Sequence, residues 1–100
     1  MISTVAHYRL PAEGRAEILA RLLEVARCTR AEPGLCYFHL LQEDDDPANL
    51  ILVEGWADDS ALASHQASVH FQETLVGELV PMLVSRQVTR ARPVYADEFA

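Results

Sequence analysis

Polar and apolar residues alternate at the start of the chain, over residues 2–9, before Leu10 and Pro11. A period of two places successive side chains on opposite sides of a β-strand. One parity carries Ile2, Ala6 and Tyr8, and the other carries mostly polar residues. We therefore predict a first strand that ends at Leu10–Pro11.

From Ala12 onwards the apolar residues recur at spacings of three and four, which predicts an amphipathic helix. Proline disfavours helical geometry in the residue before it and glycine accommodates a turn, so Glu32–Pro33–Gly34 should end this helix. The predicted apolar stripe consists of Ile18, Leu19, Leu22, Leu23, Val25, Ala26 and Cys28.

The remaining pattern predicts a hairpin, two helices and a last strand. Residues 35–42 and 50–57 have strand character on either side of an acidic turn at 43–47. A short helix should run from Asp58 or Asp59, both good N-cap residues, to about Gln66. A further helix should follow Ser68 and end near Pro81, and the last strand should lie within 84–95.

The order β-α-β-β-α-β defines a ferredoxin-like α+β fold, with an antiparallel sheet and the helices on one face. We expect a single domain over residues 1–100, with its core in about 1–95. The opposite sheet face has no cover within one chain, although Val53 should lie on it. An open apolar sheet face is usually an interface, so we expect a homodimer.

Composition excludes several partners. The formal net charge of −7 argues against nucleic acid and anionic membranes, which select basic surfaces. No apolar run approaches the roughly 20 residues of a membrane span, and the first residues lack signal-peptide features. Cys28 and Cys36 match no zinc or redox spacing, so we predict reduced, mostly buried thiols and a cytoplasmic protein.

Several short strings occur in an order typical of a known family. They are EPGLCYF at 32–38, LVEGW at 52–56, ALASH at 61–65 and SVHF at 68–71. In this order and spacing, the chain resembles the antibiotic biosynthesis monooxygenase domain over nearly its whole length. The resemblance implies a dimeric α/β barrel with a ligand cavity between the sheet and helices of each protomer. It also implies a cofactor-independent monooxygenase that oxidises a quinol, polyphenol or aromatic polyketide-like substrate with O₂.

A fold alone does not settle a reaction. Two alternatives stay open: an isomerase or other proton-transfer enzyme on a small carbonyl compound, and a non-catalytic small-ligand-binding dimer. Leu52 stands where polyketide oxygenases of the family tend to carry asparagine, which weakens that branch. Leu75 stands near the position of the haem-ligating histidine of haem-degrading members, which argues against haem.

His65 matches the family's recurrent histidine on the first of the two carboxy-terminal helices, and the resemblance makes it a candidate general base. Imidazole accepts a proton near neutral pH, and a deprotonated phenol is electron-rich enough to reduce oxygen. The alternative is a structural histidine that bridges buried backbone. Glu54 is a candidate to orient His65 or to act as the base itself, and its alternative is an ion pair with an arginine.

The candidate substrate-binding residues are aromatic or apolar. Trp56 shares a strand face with Glu54 and is a candidate to stack on a flat ligand, with core packing as its alternative. Tyr37 and His39 share a face of the second strand, which turns either to the helices or to a partner protomer. The other candidates are Leu52, Leu62, Phe71 and Leu75.

We predict no metal ion and no other cofactor. His65 and His70 are separated by a predicted helix break, so they need not share a helix face. The sequence has no H-x-x-x-H, no clustered Cys/His spacing and no nucleotide-binding motif. The acidic run at 44–46 lacks EF-hand spacing and is interpreted as a solvated loop.

Overall fold

The computed structural model describes residues 1–97, in which four strands and three helices follow the predicted order. A short 3₁₀ turn at Val80–Met82 connects the last helix to the last strand. The elements are β1 (Ile2–Arg9), α1 (Arg15–Arg30), β2 (Leu35–Gln42), β3 (Asn49–Trp56), α2 (Asp59–Gln66), α3 (His70–Leu79) and β4 (Ser85–Ala91).

The four strands form one antiparallel sheet in the order β2-β3-β1-β4. In this register Glu54 lies opposite Thr4 on β1 and opposite Phe38 on β2. Residues directly opposite each other in an antiparallel pair point to the same side of the sheet. Thr4, Glu54 and Phe38 therefore form one row that faces the helices. The predicted ferredoxin-like α+β architecture is confirmed.

The helix-facing side of the sheet carries the core. The main cluster joins side chains of β1, α1, β3 and α3, and a smaller one joins Ile2, Trp56 and Leu62. α1 contributes its face at Ile18, Leu22, Val25 and Thr29. Thr29 is fully buried, and its hydroxyl is satisfied by donating to the Val25 carbonyl at 2.9 Å.

The turn between α1 and β2 packs tightly against α2. Gly34 has φ = 83°, and a Cβ atom there would lie 2.6 Å from the Ala61 Cβ. Its carbonyl accepts a hydrogen bond from the Ala57 amide at 2.8 Å. Glycine at this position therefore lets the turn that carries Glu32 approach α2 closely.

Several boundaries differ from the predicted ones. α1 begins at Arg15, after Gly14 in a left-handed conformation, and not at Ala12. The last strand lies within the predicted range 84–95 and ends at Ala91. α3 is wound as a π-helix, a geometry frequent at functional sites and not signalled by the apolar spacing. Asp58 caps α2 as predicted, since its carboxylate accepts from the Ala61 amide at 2.8 Å.

The prediction that the cysteines are buried is wrong, because Cys28 and Cys36 are both exposed. The buried face of α1 continues from Val25 to Thr29, four residues on, which leaves Cys28 outside it. Cys36 lies at an irregularity in the pairing of β2 with β3, between Leu35 and Tyr37.

Among the residues that the structure describes, no helix packs on the other face of the sheet. Val5, Ile51 and Val53 lie on it half-buried, and Leu41 is 47% exposed.

Within residues 1–97, no helix combines the length and apolar character that crossing a membrane would require.

Candidate active site

A partly open cavity of about 60 Å³ lies between the sheet and the helices. Most of its wall is apolar, and the polar groups Thr4, Glu54, His65 and Arg86 reach it from different elements. The lining side chains are Thr4, Ala6, Tyr8, Leu22, Val25, Thr29, Phe38, Leu40, Leu52, Glu54, Leu62, His65, Gln66, Phe71, Leu75, Arg86 and Val88.

His65 lies in the last turn of α2 and is only 4% exposed. Its Nδ1 lies 2.6 Å from Oε2 of Glu32, in the turn after α1. A carboxylate accepts hydrogen bonds, so this contact favours the tautomer that carries its proton on Nδ1. The lone pair of the imidazole is then on Nε2, on the side of Glu54.

Glu54 projects from β3 toward the same imidazole. Its Oε1 accepts a hydrogen bond from the Thr4 hydroxyl at 3.0 Å. Its Oε2 lies 3.5 Å from His65 Nε2 and, within residues 1–97, is buried without a hydrogen-bond partner. Burial raises the pKa of the Glu54 carboxyl above its usual range, while His65 and Thr4 oppose the rise.

The raised pKa of Glu54 predicts that Glu54→Gln stabilises the fold at neutral pH, by roughly 1 kcal/mol. The glutamine oxygen can still accept from Thr4, and its amide can donate to His65 Nε2. A raised carboxyl pKa makes the wild-type chain lose stability as pH rises from the usual range of glutamate. The gain in unfolding free energy should therefore be largest near pH 7 and shrink toward pH 4. Urea denaturation at both pH values measures it.

The exposed Glu73 provides the matched control for this measurement. Glu73→Gln removes the same charge from α3 outside the cavity, and its effect should stay within about 0.5 kcal/mol. Equal effects of the two substitutions, or a gain from Glu54→Gln that grows toward acid pH, would contradict the prediction.

A second histidine joins Glu32 from the start of α3. His70 Nε2 lies 3.0 Å from Glu32 Oε2 and 3.2 Å from the Ser68 hydroxyl. Ser68 in turn donates to the His65 carbonyl at 2.6 Å. Glu32, His65, Ser68 and His70 thus form one hydrogen-bonded cluster at the junction of three elements.

Two aromatic rings fix the orientation of the His65 imidazole. Trp56 stacks on it with ring centroids 4.6 Å apart, and Phe71 meets it edge-on at 5.1 Å. Trp56 is fully buried and does not line the cavity. The structure therefore places Trp56 against the imidazole, where it supports His65.

The other predicted site residues form two groups, those that line the cavity and those that do not. Leu52, Leu62, Phe71 and Leu75 line the cavity together with Glu54 and His65. Tyr37 and His39 do not, because the second strand turns Phe38 and Leu40 to the cavity. The Tyr37 ring instead lies over Gly55 on the far face, and its hydroxyl is 2.7 Å from Ser3 Oγ.

Sequence reasoning missed Glu32, Arg86 and Tyr8. The sequence signals Glu32 only as part of a helix-ending turn and of the string at 32–38, and its partners lie 33 and 38 residues further on. The Arg86 guanidinium lies 5.8 Å from the Tyr8 ring centroid. Burial raises the pKa of the Tyr8 phenol, and Arg86 opposes that rise. Tyr8 lies two residues from both Ala6 and Leu10, so the alternation along the strand indicates that it faces inward with them.

Fold and site together define a class of protein: a small ferredoxin-like domain whose cavity contains a histidine paired with a buried carboxylate. The sequence profile of the family described as "Antibiotic biosynthesis monooxygenase" matches residues 1–76. The chain belongs to this family, as the motifs at 32–38 and 52–56 suggested.

Individual relatives agree with the family. A Bacillus subtilis (strain 168) protein named "Putative monooxygenase YcnE" is 28% identical over 72 residues, 72% of this chain and 76% of that protein. A crystal structure described as an antibiotic biosynthesis monooxygenase is 26% identical, with a TM-score of 0.86 over 95% of this chain and 100% of that one. These similarities support a monooxygenase-like function in general.

Two further solved structures have the same fold. A conserved protein from Methanosarcina mazei Go1 is 26% identical, with a TM-score of 0.84 over 91% of this chain and 90% of its own. Rv0793 from Mycobacterium tuberculosis is 23% identical, with a TM-score of 0.88 over 97% of this chain and 98% of its own. The second similarity shows the fold alone.

Proposed function

We propose that the protein is a cofactor-independent monooxygenase that oxidises a small quinol or polyphenol with O₂. The observation that carries the proposal is the Glu32–His65 pair, with a 2.6 Å contact at Nδ1, on a buried histidine that lines an apolar cavity. Such a pair fixes the imidazole tautomer and directs a basic nitrogen away from the carboxylate.

In the proposed reaction, His65 Nε2 removes the phenolic proton of the substrate. The resulting phenolate transfers electrons directly to O₂, one oxygen atom enters the ring, and the other leaves as water. For hydroquinone the balance is C₆H₆O₂ + O₂ → C₆H₄O₃ + H₂O, a hydroxyquinone. Arg86 lines the same cavity, and its positive charge favours the phenolate.

The cavity supports a small substrate. A volume of about 60 Å³ suits a single ring better than a fused polycycle, which would require its walls to move. Phe38 and Phe71 provide aromatic surface on two sides. Leu52, at the position where polyketide oxygenases tend to carry asparagine, adds to the apolar character.

The test is oxygen consumption by tag-free, chelator-treated protein with a panel of single-ring hydroquinones and anthrones. We expect uptake above autoxidation with the hydroquinones, and a hydroxyquinone that carries one atom from ¹⁸O₂. Uptake at the autoxidation rate with every compound would contradict the proposal.

One observation favours a second candidate, an isomerase or other proton-transfer enzyme on a small carbonyl compound. Glu54 Oε2 lies 3.5 Å from His65 Nε2, so two groups are placed to remove a proton and return it at another atom. Such an enzyme forms its product without oxygen. Product formation under strictly anaerobic conditions would therefore separate this candidate from the monooxygenase.

We also propose that the protein forms a homodimer through the sheet face opposite the cavity. That face carries the half-buried Val5, Ile51 and Val53 and the exposed Leu41. Sedimentation equilibrium at micromolar concentration should give twice the 11.1 kDa chain mass, and Val53→Arg should shift it toward the monomer. A wild-type monomer mass would contradict the dimer.

A further inference from the structure

Glu32, His65 and His70 converge from three separate segments of the chain. One ligand atom from each of the three side chains lies within 4.8 Å of the other two. Both imidazole nitrogens already face the same carboxylate oxygen, at 2.6 and 3.0 Å. We propose that these three side chains bind a divalent transition-metal ion of the zinc class, through His65 Nδ1, His70 Nε2 and Glu32 Oε2.

The donor set fits this class of ion. Two imidazole nitrogens and one carboxylate oxygen suit Zn²⁺ and its first-row neighbours, whereas Mg²⁺ and Ca²⁺ prefer oxygen alone. Zinc binds such ligands at about 2.0–2.2 Å and accepts three protein ligands with a fourth position open. Bonds of that length set tetrahedral ligands about 3.3–3.6 Å apart. The two nitrogen–oxygen separations, now 2.6 and 3.0 Å, must therefore lengthen by about an ångström or less. The two nitrogens, which lie within 4.8 Å of each other, close to the same spacing around the ion.

Glu54 completes the site from the other side of the His65 ring. A metal on Nδ1 places the imidazole proton on Nε2, and Glu54 Oε2 lies 3.5 Å from that nitrogen without a hydrogen-bond partner within residues 1–97. Metal-bound histidines usually donate their second N–H to a carboxylate. The unpaired oxygen of Glu54 is therefore where such an acceptor is needed.

The ion has a route to the three ligands. The His65 side chain is 5% exposed, but those of Glu32 and His70 are 15% and 19% exposed. The cluster is therefore reached from solvent at Glu32 and His70. An ion enters there without unfolding of the core.

Metal binding and base catalysis exclude each other at His65. With the metal on Nδ1 and a proton on Nε2, the imidazole has no lone pair for a phenolic proton. Zinc should therefore inhibit oxygen uptake, a consequence that rests on the proposed monooxygenase function. Binding itself does not rest on that function.

The binding test is isothermal titration of tag-free, chelator-stripped protein with zinc chloride. We expect one Zn²⁺ per chain, with a dissociation constant in the low micromolar range or tighter. His70→Ala removes a ligand and should weaken binding at least about tenfold, while Glu54→Gln should weaken it by about tenfold through the outer partner. His7→Ala removes an exposed imidazole from β1 and should bind as the wild type does.

Histidine NMR gives a second readout on the unmodified chain. The sequence has four histidines, and zinc should shift the imidazole resonances of His65 and His70 and leave those of His7 and His39 in place. Equal binding by wild type and His70→Ala, or no shift at His65 and His70, would reduce the cluster to a hydrogen-bond network and overturn the proposal. If zinc binds and no protein consumes oxygen, the metal site stands and the monooxygenase proposal fails.

Discussion

Substitution of His65 by glutamine is expected to lower kcat for oxygen uptake by about 10²–10⁴-fold, the usual contribution of a positioned general base. Glutamine retains a side chain that can donate to Glu32, but it has no nitrogen that accepts a proton near neutral pH. The measurement is initial oxygen consumption with a single-ring hydroquinone, corrected for autoxidation, on chelator-treated protein. Circular dichroism should confirm that the variant is folded.

Two further variants separate a chemical role from a structural one. His7 lies on the sheet face opposite the cavity, and His7→Gln should keep kcat within a factor of two or so. Glu32→Gln should lower kcat and leave KM nearly unchanged, because Glu32 contacts the imidazole and does not line the cavity. Equal kcat values for wild type and His65→Gln would remove His65 from the mechanism.

Most of the correct sequence predictions about side-chain direction came from the alternation of residues along the strands. On β1 one parity is apolar enough to identify the buried face. On β3 both parities carry apolar residues, so parity groups Leu52, Glu54 and Trp56 on one face, and the family resemblance turns that face to the helices. On β2 both parities carry an aromatic residue, and the pattern alone does not choose between them. Contact with β3 decides, because Gly55 leaves space for the Tyr37 ring on the far face.

The convergence of Glu32, His65 and His70 was not predictable by the same reasoning. Helical periodicity relates residues within one helix, and a break separates His65 from His70. Glu32 lies beside them only because Gly34 allows its turn to pack against Ala61. The π-helical winding of α3 likewise has no counterpart in the apolar spacing. Contacts between residues of one element could thus be predicted from the sequence, whereas contacts that depend on how a turn packs against another element could not.

Substitution of Trp56 by alanine is expected to lower the free energy of unfolding by about 3–5 kcal/mol. Its ring is fully buried, packs with Ile2 and Leu62, and stacks on His65. The cavity left behind can close only if β3 and α2 move together. A domain of this size has about 5–15 kcal/mol of stability in total, so the variant should denature at much lower urea concentration. Trp56 is the chain's one tryptophan, so circular dichroism must follow the transition.

Trp56→Phe is the informative comparison for this prediction. Phenylalanine fills less of the space but removes the indole N–H, whose nitrogen is buried without a hydrogen-bond partner within residues 1–97. A buried unpaired donor costs about 1–3 kcal/mol, so its removal should offset part of the lost packing. We therefore expect a much smaller loss for Trp56→Phe than for Trp56→Ala. Because both variants weaken the support of His65, kcat should fall with stability for alanine and less for phenylalanine. Similar losses of stability for the two variants would indicate that the indole N–H finds a partner in solution.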